Sequence, residues 1–248
     1  MGKGVVVSVK DNTGLIQHLR NLEEKIAWNG PVVVLVNKTS ASAAEIVAQT
    51  LQDYGRALII GDAFTYGKGT FQTFTLESNN FGKVNPKGEY KVTRGRYYTV
   101  SGKSPQLVGV QSDIVVPGPF SEMEIGEKYS KFPVETDEIP SNFQDDFSDI
   151  PIMHRAQLKK IYRGDIQAVM ATYQPHLEAL KKNSHERISQ NKNYQNLLKS
   201  LEKKDQFIDS NDFFGKNDLQ LIETSNIMKD LIYFIDYGTK EQKSKKAA

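Results

Sequence analysis

A serine hydroxyl attacks a carbonyl only if a base takes its proton, and this chain offers one candidate pair in Ser42 and Lys68. Ser42 lies in Ser40-Ala41-Ser42-Ala43-Ala44-Glu45, and Lys68 in Tyr66-Gly67-Lys68-Gly69-Thr70. The usual base is histidine, but His18, His154, His176 and His185 leave residues 19–153 without one. A lysine can serve where desolvation leaves its amine neutral. Gln72, four residues on, is placed to hold that amine with its side-chain carbonyl. The flanking glycines let backbone come close to a neighbour. A lysine among glycines also suggests a phosphate loop. Here five residues separate Gly61 from Gly67, and Gly69 stands where serine or threonine is required, so that reading fails.

These residues need a frame, and the surrounding pattern supplies one. Residues 31–36, PVVVLV, are a short apolar run rich in β-branched residues, the pattern of a strand buried on both faces. From 43 to 54, Ile46, Val47, Thr50, Leu51 and Tyr54 recur at helical spacing, and Gly55 supplies a stop. Residues 58–60 are again β-like. Ser42 therefore sits where a strand hands over to a helix, at the positive end of the helix dipole and beside unpaired first-turn N–H groups. The N–H of Ala43 would stabilise an oxyanion there most directly. The same stretch, Ser42-Ala43-Ala44-Glu45, fits the capping-box pattern, in which the serine only caps the helix. Local sequence leaves both roles open.

Together, SASAAEI, QDYGRALIIGD and GKGTFQ resemble the catalytic core of the tail-specific, or C-terminal processing, proteases, which are periplasmic or lumenal serine–lysine peptidases. The resemblance implies Ser42 rather than Ser40 as nucleophile, because the middle serine of the family's S-A-S-A-S-E pattern falls there. It implies Lys68 as general base and Gln72 as the residue that orients it, from the G-K-G-T-x-Q motif. Ala44 stands where the family has a third serine, and the loop 62–66 is one residue longer than is usual. Residues 109–117 match the closing G-V-x-P-D-I segment with Ser112 in place of proline, and Asp113 reads as a turn cap rather than a catalytic acid. The implied fold class is α/β, a partial crotonase-like strand–strand–helix protease core followed by a helical C-terminal domain, with no cofactor and no metal. The similarity spans nearly all of this chain but only the C-terminal part of a family member. A helical region, a peptide-binding PDZ module and a glycine-rich turn with the second oxyanion donor are expected upstream of Met1. The implied substrates are unfolded or tail-exposed proteins with apolar C-termini, the implied partner is the upstream PDZ-containing half, and the implied location is the periplasm.

Composition narrows the classes further. A chain of 248 residues suffices for one large or two modest domains. Lysine and arginine number 32 against 30 acids, and the net charge of +2 gives no reason to expect nucleic acid or a strongly anionic partner. Cysteine is absent, which excludes a thiol nucleophile, disulfides and cysteine zinc sites. No apolar run approaches the roughly 18 residues needed to span a bilayer. The first residues lead into a strand rather than an apolar signal segment, so a periplasmic targeting signal is expected upstream.

Around the site, residues 4–9 read as a strand closed by a turn at 11–14, and 15–28 as an amphipathic helix with apolar residues at 15, 16, 19, 22 and 26. Residues 74–76 continue a strand, 78–89 are a surface loop, and 90–100 are a strand with one solvated face. Balanced charge argues against a single-stranded nucleic-acid surface there. The protease part is expected over 1–120, then an extended arm over 121–150 fastened by Phe132, Phe143 and Phe147. Helices are expected over 156–162, 165–180, 184–203 and 218–237 within a helical domain, 151–240, before a disordered tail at 241–248. The C-terminal histidines are too scattered to nominate as metal ligands. Two rivals belong to other classes. A crotonase-type hydratase would need acids as proton carriers and has no use for Ser42, Lys68 and Gln72 together. A catalytically silent binding or scaffold module, lacking the upstream PDZ and oxyanion elements, shares every motif and is separated only by assay.

Overall fold

A computed structural model describes residues 1–75, 90–162, 166–202 and 218–246. The chain opens with β1 (Gly4–Asp11) and returns as β2 (Ile16–Asn21). A strand–helix–strand crossover follows: β3 (Val33–Val36), α1 (Ala43–Asp53) and β4 (Leu58–Gly61). After it come β5 (Thr70–Thr75), β6 (Tyr90–Tyr98) and the short β7 (Ile114–Val115). The C-terminal part holds α2 (Ile152–Tyr162), α3 (Leu177–Gln190), α4 (Lys192–Glu202) and α5 (Leu219–Lys246). The strands make two sheets, one in the order β2-β1-β6-β5 and one in the order β3-β4-β7. The first pairs antiparallel throughout, the second parallel. A parallel pair needs a crossover, and α1 provides it between β3 and β4. Thr50 on α1 and Tyr54 at its C-cap donate to the carbonyls of Val6 and Val5, both at 2.9 Å, and so fix the helix to β1.

Residues 15–28 depart from the helix their apolar spacing predicts. The Asp11 carboxylate accepts the N–H groups of Thr13 (2.8 Å) and Leu15 (3.0 Å), which reverses the chain. Pairing with β1 then imposes period two. Ile16, His18 and Arg20 are partly buried while Gln17 and Leu19 are exposed, and His18 Nδ1 meets Ser8 Oγ at 2.7 Å.

The arm after β7 is anchored to that same strand. Arg20 makes bonds of 2.5 and 2.8 Å to the two oxygens of Asp145 and of 2.6 and 3.1 Å to those of Asp149. Phe147 is buried beside it, and Phe143 meets Tyr54 edge-on. Phe132 does not anchor the arm as expected: it is 83 % exposed.

Helices α3, α4 and α5 share a core with the parallel sheet, where Leu58, Ile60, Ile114 and Val116 meet Leu180, Tyr194, Leu197, Ile227 and Leu231. The helix expected over 165–180 is replaced by irregular chain from 166 to 173. Its backbone is used elsewhere: the Gln167 N–H donates to the Lys3 carbonyl, and that of Met170 to Tyr54 at 2.8 Å. The helix expected over 184–203 breaks at Asn191, whose side-chain oxygen accepts the N–H groups of Asn193 (3.0 Å) and Tyr194 (3.2 Å) and starts α4 afresh. The tail expected to be disordered continues α5 to Lys246, in keeping with its lysines, glutamate and glutamine, which are good helix formers. The loop expected over 78–89 lies outside the described residues.

Candidate active site

Parallel pairing sets Val36 beside Gly61, so β3 and β4 end together. The loops leaving such strand ends are where α/β sheets place their sites. One carries Ser42 and the other Lys68, and backbone bonds lace them. The N–H of Asp62 donates to Val36 (3.1 Å), and that of Tyr66 to the Ser40 carbonyl (2.9 Å). The Asp62 carboxylate accepts the Lys38 N–H at 3.0 Å.

Ser42 is the N-cap of α1, with φ 57° and ψ −114°. A non-glycine residue rarely adopts positive φ, and its persistence means the surroundings enforce it. A serine held on a strained strand-to-helix turn has its hydroxyl presented away from both elements. Ser40 is used differently, since its Oγ accepts the Asn37 N–H at 3.1 Å and closes the loop. Ser42 and Glu45 do form a capping box, but an uneven one. The Ser42 N–H donates to Glu45 Oε2 at 2.8 Å, whereas the Glu45 N–H bonds the Ser42 carbonyl at 2.9 Å, and the serine hydroxyl makes no full cap bond. Among the described residues the Ala43 N–H has no acceptor, which leaves it available to an oxyanion.

Glu45 is more than half of a helix cap. It is completely buried. Its Oε1 accepts the Thr65 hydroxyl (2.5 Å) and the Gly67 N–H (2.6 Å); its Oε2 accepts the N–H groups of Ser42 (2.8 Å) and Lys68 (2.9 Å). One oxygen thus holds the backbone of both candidate catalytic residues. Burial raises the Glu45 carboxyl above its ordinary value, against the pull of these four hydrogen bonds. The Tyr97 hydroxyl bridges the same gap from β6, lying 3.0 Å from the Ser42 carbonyl and also against that of Lys68. Burial, with the Glu45 carboxylate nearby, pushes its titration far above the ordinary tyrosine value, so it remains a donor.

Lys68 is partly buried, and among the described residues its Nζ makes no hydrogen bond or ion pair. Its flanking glycines answer to specific demands. Gly67 has φ +89°, and a Cβ on Gly69 would lie 2.2 Å from Ser104 Oγ and 2.9 Å from the Gln106 nitrogen. The fully buried Gln106 accepts the Gly69 N–H at 2.8 Å. Gln72 uses its amide NH₂ on Thr70 Oγ1 (3.1 Å) and Thr93 Oγ1 (3.4 Å), and no hydrogen bond joins it to Lys68. Ser42 and Lys68 are therefore brought together through their backbones, with Gln72 on the adjoining strand. Asp113, read as a turn cap, instead ties two elements, accepting the Ile59 N–H at 2.7 Å and the Gln52 amide at 3.1 Å. Among the described residues no group of three or more histidines and acids gathers as metal ligands, and no helix is long and apolar enough to cross a membrane.

Residues 1–116 match the family model described as Peptidase family S41. The tail-specific protease of Haemophilus influenzae is 38 % identical over 141 residues, 56 % of this chain and 20 % of that protein. The carboxy-terminal-processing protease of Bartonella bacilliformis is 46 % identical over 92 residues, 37 % of this chain and 19 % of that protein. Among solved structures, a photosystem II D1 C-terminal processing protease is 32 % identical, with a TM-score of 0.41 over 47 % of this chain and 28 % of its own. The chain spans 20 % and 19 % of the length of the two curated relatives. Residues 1–116 of the chain are thus similar to peptidase family S41.

Proposed function

We propose that this chain is the catalytic C-terminal part of a serine–lysine endopeptidase that acts on proteins presented through apolar, unstructured C-terminal tails. The observation that carries the proposal is the single oxygen, Glu45 Oε2, that holds the N–H groups of Ser42 and Lys68 at 2.8 and 2.9 Å. Such a clamp keeps a nucleophile and its base in register without occupying either side chain. Ser42 Oγ attacks the scissile carbonyl carbon as Lys68 Nζ takes its proton. The oxyanion forms beside the Ala43 N–H. Lys68 then protonates the leaving amine, and water hydrolyses the acyl-enzyme with Lys68 again as base. Gln72 is the residue that orients the lysine, its NH₂ being held on the two threonines. No cofactor enters.

On this reading the protease part, residues 1–120, is a portion of a crotonase-like unit, the arm and helices brace it, and the protein works in the periplasm. Tail recognition by a PDZ module and the second oxyanion donor are supplied by polypeptide beyond these 248 residues. The test is turnover of an unfolded protein substrate with and without an added PDZ-containing half. Ser42→Ala is expected to abolish turnover and Ser40→Ala to preserve it. Activity that survives Ser42→Ala and disappears in Ser40→Ala overturns the assignment.

A further inference from the structure

Asp62 is fully buried at the root of the loop that carries Lys68. Four donors converge on its carboxylate. Its Oδ2 accepts the Lys38 N–H (3.0 Å), and its Oδ1 accepts the Gly118 N–H (3.1 Å), the Ser121 hydroxyl (2.5 Å) and the Gln220 amide (3.1 Å). Lys38 belongs to the serine loop, Gly118 and Ser121 follow β7, and Gln220 lies in the first turn of α5. Gln220 is itself 5 % exposed, and its Nε2 also donates to the Val116 carbonyl at 2.8 Å. A Cβ on Gly118 would meet the Gln220 amide at 2.6 Å, so the helix is seated closely.

The lysine loop is therefore held at two points. Glu45 fixes the end that bears Lys68, and Asp62 fixes the root to the serine loop. Between them the outer side is braced by the chain that follows: the Glu127 N–H donates to the Tyr66 carbonyl at 2.9 Å, and Lys38 Nζ to that of Met123 at 2.8 Å. The Phe64 ring has two ammonium groups against it, that of Lys38 at 5.2 Å and that of Lys128 at 4.2 Å from its centroid. Met123, Glu127, Lys128 and Gln220 all fall outside the residues matched by the S41 family.

We propose, resting on the serine–lysine reading above, that Gln220 is a positioning residue for Lys68. Acting through Asp62, helix α5 pins the lysine loop to the serine loop and so sets where the amine is presented. Misplacing a reacting group by about 1 Å can cost on the order of a hundredfold in rate, so a distant anchor of this kind has leverage on the chemical step.

The test uses the full chain with the PDZ-containing half added and a fluorophosphonate, which an activated serine hydroxyl attacks to form an oxygen–phosphorus bond as fluoride leaves. The maximal labelling rate, kinact, reports the chemical step, and KI reports probe binding. Labelling of Ser42 in the wild type that Lys68→Arg abolishes tests the serine–lysine reading separately. Its failure overturns that reading and this inference with it. Given that labelling, Gln220→Met and Ser121→Ala are each expected to lower kinact about 10- to 100-fold with little change in KI. Arg187→Met is the control. It removes the ion pairs of α3 to Glu223 and Asp230 on α5 and leaves Asp62 alone, so kinact is expected to stay at the wild-type value. Wild-type kinact in both Gln220→Met and Ser121→Ala overturns the proposal. So does an equal fall in Arg187→Met, which would show that general packing of α5 is what matters.

Discussion

Replacing Glu45 with glutamine keeps the shape of the side chain and removes one acceptor. The carboxylate receives four donors, two on each oxygen. If the new NH₂ takes the place of Oε2 it faces the N–H groups of Ser42 and Lys68, neither of which can accept. In the place of Oε1 it faces the Gly67 N–H and the Thr65 hydroxyl, and a hydroxyl can accept. The second orientation is therefore the better one. It keeps the bonds to Ser42 and Lys68, reverses the bond to Thr65, whose own proton then loses its acceptor, and leaves the Gly67 N–H without a partner. An orphaned buried donor costs about 1–3 kcal/mol, and the surviving bonds lose their charge assistance. Relief of the buried charge, visible in the raised Glu45 carboxyl, offsets part of this. The expected net destabilisation is about 1–3 kcal/mol, read as roughly 2–4 °C in melting temperature per kcal/mol for a chain of this size. Gly67 adjoins Lys68, so turnover of an unfolded substrate is expected to fall about 10- to 100-fold. The pH dependence has a definite sign. With its folded value raised, Glu45 holds its proton more tightly in the folded state. Its contribution to stability therefore falls as pH rises from the ordinary glutamate range through the raised value, and Glu45→Gln flattens that limb. Lost stability with an unchanged rate would reduce Glu45 to a helix cap and refute the clamp.

Three further outcomes are expected. Lys68→Arg keeps the charge but is expected to be inactive in the turnover assay, because a guanidinium does not give up its proton. Gly69→Ala drives a Cβ into Ser104 and the Gln106 backbone, and calorimetry should show a loss of about 1–3 kcal/mol from overpacking. Arg20→Met leaves Asp145 and Asp149 buried without their cation, and denaturant unfolding should show a loss of about 3–5 kcal/mol. In the wild type, burial alone would raise Asp149, but its bonds from Arg20 and the His18 N–H hold it below the ordinary aspartate value. The stability it contributes is present above the ordinary aspartate value and is lost as pH falls through its lowered one. Hydrogen exchange over residues 141–150 should rise across that window.

How much of this was legible in the sequence depended on the range of the interaction. The apolar run before Ser42, the helix after it and the glycines around Lys68 are local signals, and each led to the element observed. Glu45 was visible only as a capping residue, because its other donors come from 65–68, on the far side of α1 and β4. Tyr97, Asp62 and Gln220 had no local signal at all. Their roles depend on pairings between strand ends, the segment after β7 and a helix that starts at residue 219. The helix expected over 15–28 failed because the spacing of Leu15, Leu19, Leu22 and Ile26 is outvoted by the Asp11 turn, which commits the chain to pairing with β1. Likewise residues 166–173 give their backbone bonds to Lys3 and Tyr54, a tertiary demand that helical propensity does not register.

The central claim is that Ser42 is a nucleophile activated by Lys68. Peptide-level mass spectrometry of the full chain, treated with fluorophosphonate with the PDZ-containing half added, tests it most directly, in the wild type and in Lys68→Arg. The account predicts an adduct on Ser42 in the wild type and none in the variant. An adduct on Ser40, or one on Ser42 that is undiminished in Lys68→Arg, would contradict it.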